Sequence, residues 1–354
     1  MIFILLYDTR YQTFLIQYKK IIINTKLYFE GVFIMKQKRW WTLIIILFLI
    51  ILIVPKQIRS NKKALKIGIL QFTEHEALDA SRNGFIDGIN KLNLDIEIDY
   101  KNAQADQSNC TLIANYFVAQ DCDLIFAIAT PAAQAVAAVT SKIPILVTAI
   151  TNPVDANLVK SNQKPDTNVS GTSDLAPISK QIELITKLNP NVKNIGILYS
   201  SSEANSKFQS EIALEEAQKL GLSAKEFTFS QVTEIQQVVE SMSNKVDAIY
   251  TPTDNMVASN MTLISNTALQ FGIPVVCGEV NLLSKGAIGT FGMDYYSLGM
   301  LTANQAEKIL TRQDIPKNMP IEYIKDAKLA LNEEILKKLN FKISDDLKKI
   351  AEII

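Results

Sequence analysis

An α/β protein of two Rossmann-like lobes, each a three-layer α/β/α sandwich, with a ligand cleft between them, is the fold class that the sequence predicts, behind an N-terminal membrane anchor or signal segment. The first observation is an internal repeat. Lys66 to Val154 is echoed about 125 to 130 residues later by Asn194 to Val280. KIGILQF at 66–72 returns as NIGILYS at 194–200, DLIFAIATPAAQAV at 123–136 as DAIYTPTDNMVAS at 247–259, and IPILVTAITNPV at 143–154 as IPVVCGEVNLL at 273–283. The second is the grammar of each echo: an apolar strand, a polar loop and then a helix, as in a parallel sheet covered on both faces. The third is composition, since 354 residues at 48% hydrophobic and 20% charged can bury two ordinary cores. Ligands of such sheets sit beyond the carboxyl ends of the strands, so the space between two facing lobes is the expected site.

Taken in order, residues 1–34 scatter Leu5, Phe14, Ile21 and Phe33 among polar residues without a clean period. They read either as an upstream extension, Met35 being a natural start, or as an irregular amphipathic membrane segment. At 35–63, MKQKRWWTLIIILFLIILIVPKQIRSNKK places Lys36, Lys38, Arg39 and two tryptophans ahead of an unbroken apolar run from Leu43 to Val54. That is a signal or anchor whose cations stay in the cytoplasm while the body is exported. The run is short for a span, but no small-x-small cleavage site follows, so an uncleaved tether from Trp40 to Val54 is favoured over a cleaved signal. Residues 1–63 hold 11 Lys/Arg against Asp8 and Glu30, leaving 25 basic and 34 acidic residues at 64–354, a net charge of −9. An acidic body argues against nucleic acid as a partner.

Within the body, Lys66 to Gln71 reads as a strand, Ala77 to Leu92 as a helix, Asp95 to Tyr100 as an alternating strand and Asn109 to Gln120 as a helix. Leu124 to Ala129 is a continuous apolar strand of the buried parallel kind. Thr130-Pro131 then opens a helix over Ala132 to Thr140, with proline where its missing N–H costs nothing. The second half repeats this from Ile195 to Val276. SGTSDLAP at 170–177, small and polar before a helix from Ile178 to Lys187, reads as a lobe boundary. GTFGMDYYSLG at 289–299 reads as the return, with a helix from Leu298 to Thr311, and IEYIKDAKLALNEEILKKLNF as a strand and helix crossing back. The lobes are thus expected at 64–171 plus 293–318 and at 172–292 plus 319–354, hinged near Ser170 to Asp174, Phe291 to Tyr295 and Pro316 to Ile321. Cys110, Cys122 and Cys277 lack metal-ligand spacing; Cys277 reads as a core residue, and pairing of Cys110 with Cys122 stays open. No cofactor motif is present.

The segments QFTEHEALD, ATPAAQA, TNPVDANLV, SGTSD, LYSSSEANS, PTDNMVAS and GEVNLLSKGAIGTFGMDYYSLG, in this order over residues 64 to 340, resemble the solute-binding proteins of ABC importers described as tryptophan/tyrosine transport components. The resemblance implies a type I periplasmic-binding fold and a monomeric, non-enzymatic receptor outside the cytoplasm that hands a small solute, an aromatic amino acid by preference, to a membrane permease and its ATPase. Many Gram-positive members carry a lipobox, which this chain lacks, so the mode of anchoring is where it departs.

An amino acid presents a carboxylate and an ammonium, which ask for N–H and O–H donors on one wall and a carboxylate on the other. Thr130, with the turn at Ala132, offers a hydroxyl and backbone N–H groups at a positive helix end, and Thr148 a hydroxyl on the next strand. At the matching helix start of the second half, Asp254, flanked by Thr253 and Asn255, offers the carboxylate. Thr130 and Asp254 read equally as simple N-caps. The loop after the first strand brings Gln71, Phe72 and His75, the last as ligand contact, lobe gate or structural residue. Its counterpart brings Ser200, Ser201, Ser202 and Asn205, a polar wall or a solvated turn. Glu279 and Asp294 add acids that suit an ammonium or serve as hinge salt bridges, with Tyr295, Tyr296 and Phe291 as aromatic surface.

Other classes fit less well. A two-lobed transcription repressor would carry a basic helix-turn-helix where this chain has its apolar segment, and an ATPase would need a phosphate loop that is missing. An exported enzyme could draw on Glu279, Asp254 and Asp294 as paired-carboxylate candidates, but no spacing marks a nucleophile or a metal site. A sensor ectodomain, or a receptor for another amino acid or a nucleoside, remains the alternative.

Overall fold

The computed structural model describes residues 15–28, 64–324 and 326–354. The chain forms two compact units, Met1–Lys63 and Ala64–Ile354. In the first, residues 15–28 form helix α1, with its side chains exposed. The expected anchor from Trp40 to Val54 lies outside the described residues, and among the described residues no helix is long and apolar enough to cross a membrane.

The second unit opens with β1 (Leu65–Gln71), α2 (Glu76–Asn90), β2 (Ile96–Asn102), α3 (Gln107–Ala119), β3 (Leu124–Ile128), α4 (Thr130–Val139), β4 (Ile145–Ile150) and β5 (Val169–Ser173). It continues with α5 (Ile178–Leu188), β6 (Asn194–Ser200), α6 (Ala204–Lys219), β7 (Ser223–Phe229), α7 (Ile235–Met242), β8 (Ala248–Thr251), α8 (Asn255–Gln270), β9 (Val275–Cys277) and β10 (Gly289–Gly292). α9 (Tyr295–Leu310), β11 (Glu322–Tyr323), β12 (Lys328–Leu331), α10 (Glu333–Lys338), α11 (Asp345–Ile350) and β13 (Ala351–Ile353) complete it.

The strands form two sheets, β2-β1-β3-β4-β5-β11 and β7-β6-β8-β9-β10-β12-β13. Their first five strands share one order, so the repeat in the sequence is a repeat of topology. Every pairing is parallel except β10 with β12. Parallel strands covered on both faces must be apolar throughout, and β3, β4 and β8 are buried at every residue. One apolar cluster, around Ile69, Phe85, Phe126 and Leu146, fills the first lobe. Two others, around Ile197, Tyr250 and Leu331 and around Val239, Ile249 and Met261, fill the second. All three draw only on residues of Ala64–Ile354, so this unit carries its own cores.

Three details differ from the sequence expectation. SGTSD at 170–174, read as small, polar punctuation at a lobe boundary, lies largely within β5, which is buried at all five residues. Its polar side chains are satisfied inside the lobe: Ser170 Oγ donates to the Met319 carbonyl at 2.8 Å, and Thr172 Oγ1 lies 2.9 Å from Thr148 Oγ1 and 3.0 Å from Thr302 Oγ1. Gly171, at φ 144°, lets the strand approach Val147 so closely that a β-carbon would strike its backbone. Helix α9 starts three residues before Leu298, because Asp294 caps it by accepting from the Tyr296 and Ser297 amides at 3.0 and 3.2 Å. β11 pairs with β5, so by strand membership the chain crosses between the sheets after Ser173, after Gly292 and after Tyr323, the last beyond the expected Pro316 to Ile321. The three cysteines are free and buried.

Helix α9, though far along the chain from α2, belongs to the first lobe. The two helices meet at Gly84 and Gly299, where a β-carbon would collide with the carbonyl of Tyr296 and of Ser81 respectively. Ser81 Oγ donates to the Tyr295 carbonyl at 3.1 Å, across 214 residues of chain.

Candidate functional site

The carboxyl ends of β4 and β5 face those of β6, β8 and β9, and the residues that follow these strands line one small cavity between the lobes. Leu78, Ala149, Thr151, Asp174 and Tyr295 form one wall, and Asn205, Thr253, Asp254, Asn255 and Glu279 the other. The cavity measures about 10 Å³, room for about one water molecule. Three contacts join its rims. His75 Nε2 lies 3.2 Å from Asn255 Oδ1, Gln209 Nε2 donates to Thr151 Oγ1 at 3.2 Å, and Thr151 Oγ1 lies 3.4 Å from Thr253 Oγ1. The Asn255 amide nitrogen is bonded to Glu203, so its oxygen faces His75 and the imidazole proton is assigned to Nε2. Burial holds His75 down at about 4, neutral at pH 7.

Four carboxylates lie buried around this junction: Asp174, Glu203, Asp254 and Glu279. Asp254 caps α8 by accepting from the Val257 amide, and also accepts from the Ser200 amide and Ser206 Oγ, at 2.8, 2.8 and 2.7 Å. Glu203 braces the same helix start, accepting from the Met256 amide at 3.0 Å and the Asn255 amide at 3.1 Å. Glu279 Oε2, Asp174 Oδ1 and Asn205 Oδ1 are buried with no hydrogen-bond partner among the described residues. All three residues face the cavity. Burial, reinforced by the charges of Asp174 and Asp254, pushes Glu279 up to about 8. Burial also lifts Asp174 to about 6, against the Tyr295 hydroxyl that donates to its Oδ2 at 2.8 Å. Glu203 is raised by burial and by Asp254 beside it, and Asp254 is raised by burial against its donors.

Of the residues singled out in the sequence, Asn205, Thr253, Asp254, Asn255 and Glu279 line the cavity, and His75 bridges its rim. The others lie elsewhere. Gln71 is tied beneath α2, with Nε2 donating to Asp79 at 2.8 Å and Oε1 accepting from Arg82 at 2.8 Å. Phe72 and Ala132 belong to the first-lobe core. Thr130 is buried as the first residue of α4, and Thr148 spends its hydroxyl on Thr172 inside the sheet. Ser200 pairs its hydroxyl with Ser202 at 2.8 Å, and Ser201 donates to the Phe229 carbonyl at 3.2 Å. Asp294 is exposed at the second crossing, where it lines a separate cavity of about 380 Å³ with Met293, Asp326 and Lys328. The acids that read alike in the sequence therefore part company: Glu279 faces the cleft, and Asp294 is a solvent-side cap.

Asp174, Thr151 and Glu203 belong to the site or its support and were not taken for site residues in the sequence, Asp174 having read as hinge punctuation, whereas Tyr295, read as aromatic surface at the hinge, lies in the cavity wall. The signal was there in Glu203, a lone acid in a hydroxyl-rich loop; at Asp174 it was masked, because the polar β5 before it does not read as a buried strand. Leu78 and Ala149 carry no chemical signal that sequence reading can use.

A family model described as "ABC transporter substrate binding protein" matches residues 66–354. A tyrosine-binding protein of Clostridioides difficile is 39% identical over 291 residues, 81% of this chain and 84% of that protein. An ABC domain from Streptococcus pneumonia, solved in complex with L-Trp, superposes with a TM-score of 0.80 at 36% identity, covering 82% of this chain and all of that one. The ligand-free, open structure of a substrate-binding protein with adhesive properties from Clostridium difficile gives a TM-score of 0.64 at 40% identity, over 82% of this chain and 99% of that one.

Proposed function

Because the chain belongs to the family of ABC transporter substrate-binding proteins, with the type I periplasmic-binding fold, we propose that it is the solute receptor of an importer and closes its lobes on an amino acid, an aromatic one by preference. The protein binds and does not catalyse, and its place is outside the cytoplasm, as for the family. The observation that carries the ligand class is the trio of unpartnered buried oxygens of Glu279, Asp174 and Asn205 around one cavity. Acceptors gathered without a cation suit an ammonium, which brings three donors and a positive charge.

The opposite end of the zwitterion has a counterpart in α2. Its N-cap residue His75 makes no capping bond, so the first-turn amides up to Leu78, itself in the cavity wall, suit a carboxylate. Leu78, Ala149 and Tyr295 give the apolar surface for a ring. Two relatives support the aromatic preference, one named for tyrosine and one solved with L-Trp. The chain also superposes better on that L-Trp complex than on the open, ligand-free relative, although the sequence identities are similar, which supports a closed arrangement of the lobes. A cavity of about 10 Å³ is too small for any amino acid, so loading requires the lobes to part and to close again less tightly. A permease and its ATPase are the partners, and the apolar run from Trp40 to Val54 is the tether.

The test is melting of refolded Ala64–Ile354 against L-tryptophan, L-tyrosine, L-phenylalanine, the other amino acids, nucleosides, sugars and 3-(4-hydroxyphenyl)propionate, which is tyrosine without its ammonium. A ligand at 100 times its Kd adds about 2.7 kcal/mol. A rise confined to aromatic amino acids, and absent with the propionate, is expected. A rise with nucleosides or sugars alone would overturn the amino acid.

A further inference from the structure

We propose that Asp174 and Glu279 set charge selectivity by making lobe closure conditional on a cation: their uncompensated carboxylates oppose closure of empty lobes, and a ligand's ammonium removes the opposition. The inference rests on the amino acid reading for its ligand, but its gate is a property of the protein alone.

Glu203, Asp254 and Glu279 follow strand ends of the second sheet, and Asp174 follows the last long strand of the first. None belongs to an ion pair among the described residues, whose pairs all lie near the surface. What the first lobe places over them is neutral: Leu78, Ala149, Thr151, the Tyr295 hydroxyl and an uncharged His75. Bringing the lobes together takes water from these carboxylates and supplies no positive charge in return, which is unfavourable unless a proton or a cation comes too. Asp254 and Glu203 are compensated by amide and hydroxyl donors of their own lobe. Glu279 and Asp174 keep an open oxygen each, so on them the penalty falls. A neutral sugar leaves it in place, and a primary ammonium cancels it.

The charged and titratable groups around the cluster act within this scheme. Lys285, beyond β9, offsets part of the rise in Glu279, and Asp79, farther along α2, acts on His75. Cys277 on β9 and Tyr295 on α9 are both pushed up by burial and stay protonated. A carboxyl whose pKa rises on closure holds its proton more tightly closed than open. Closure of the ligand-free protein is therefore favoured at low pH and lost as pH rises through the value of about 8 at Glu279. The window from pH 7 to 9 lies above the titration of His75.

Small-angle scattering of ligand-free Ala64–Ile354 at pH 7 and pH 9 reads the gate directly, with Glu279→Gln and Asp174→Asn as near-isosteric neutral variants and melting curves to confirm that each folds. The wild type is expected to expand between pH 7 and pH 9. Both variants are expected to be more compact than wild type at pH 9, and to lose affinity for L-tyrosine on the order of a hundredfold. Radii of gyration equal to wild type at both pH values in both variants would overturn the gate, whatever the protein binds. Compact variants together with a wild type that ignores every amino acid would uphold the gate and remove the amino acid.

Discussion

Asp254 and Glu279 are buried acids at neighbouring strand ends with opposite surroundings. Three donors of its own lobe engage Asp254, while Glu279 keeps an oxygen with no partner. Asp254→Ala would strip the cap from α8 and strand the Ser200 amide and the Ser206 hydroxyl. It should lower stability by about 2 to 4 kcal/mol, measured by urea unfolding of the second unit. An unchanged midpoint would show that the hydrogen bonds of Asp254 are dispensable. Both acids were legible as site candidates because each follows an apolar strand in the repeat. Their division of labour was not, since the donors to Asp254 come from Ser200 and Ser206, about 50 residues away. A greater separation hid the pairing of Asp174 with Tyr295, whose contact spans 121 residues.

Elements with continuous apolar runs, such as β1, β3, β4 and β6, stand out in the sequence because a parallel strand covered on both faces has no polar side to show. β5 fails that test for a physical reason: its serines and threonines are buried against other hydroxyls and carbonyls, so polarity in the sequence did not mean water in the structure. β13, three residues at the sheet edge, is too short to carry a pattern. The pairing of α2 with α9 was equally invisible, because glycines that punctuate a loop and glycines that admit a neighbouring helix look the same. At Gly299 the neighbour is backbone, which cannot swing aside. Gly299→Ala should therefore separate the helices and destabilise the first lobe by about 1 to 3 kcal/mol, read by urea unfolding. Gly221→Ala is the control, because nothing lies within 4 Å of that position and only the strain of φ 74° is added. Gly299 has ordinary helical φ, so no such strain arises there, and an unchanged midpoint in Gly299→Ala would show that the close approach of the helices is not what holds the first lobe.

At the scale of the whole molecule the two lobes are joined by three crossings and closed by a few polar contacts, of which His75 with Asn255 is one whose strength follows pH in the acid range. Burial lowers His75 from its ordinary 6.5 to about 4 in the closed arrangement. The direction of linkage is then fixed: the closed form binds the imidazole proton less well than the open form, so closure keeps its full stability above pH 6.5 and loses it as pH falls towards 4. Between pH 7 and pH 5 the loss should reach on the order of 10- to 30-fold in ligand affinity if the open lobes leave His75 unperturbed. Titration calorimetry with L-tyrosine at both pH values measures it, and His75→Gln, which keeps an amide donor but cannot charge, should flatten that dependence while retaining binding at pH 7. An acid loss of the same size in His75→Gln would assign it to other groups and leave His75 a passive part of the rim. The carboxylates oppose closure as pH rises through about 8 and the histidine opposes it as pH falls from 6.5 towards 4, so empty lobes should close less readily at pH 9 than at pH 7, and the two limbs can be assigned separately because Glu279→Gln weakens the first and His75→Gln removes the second.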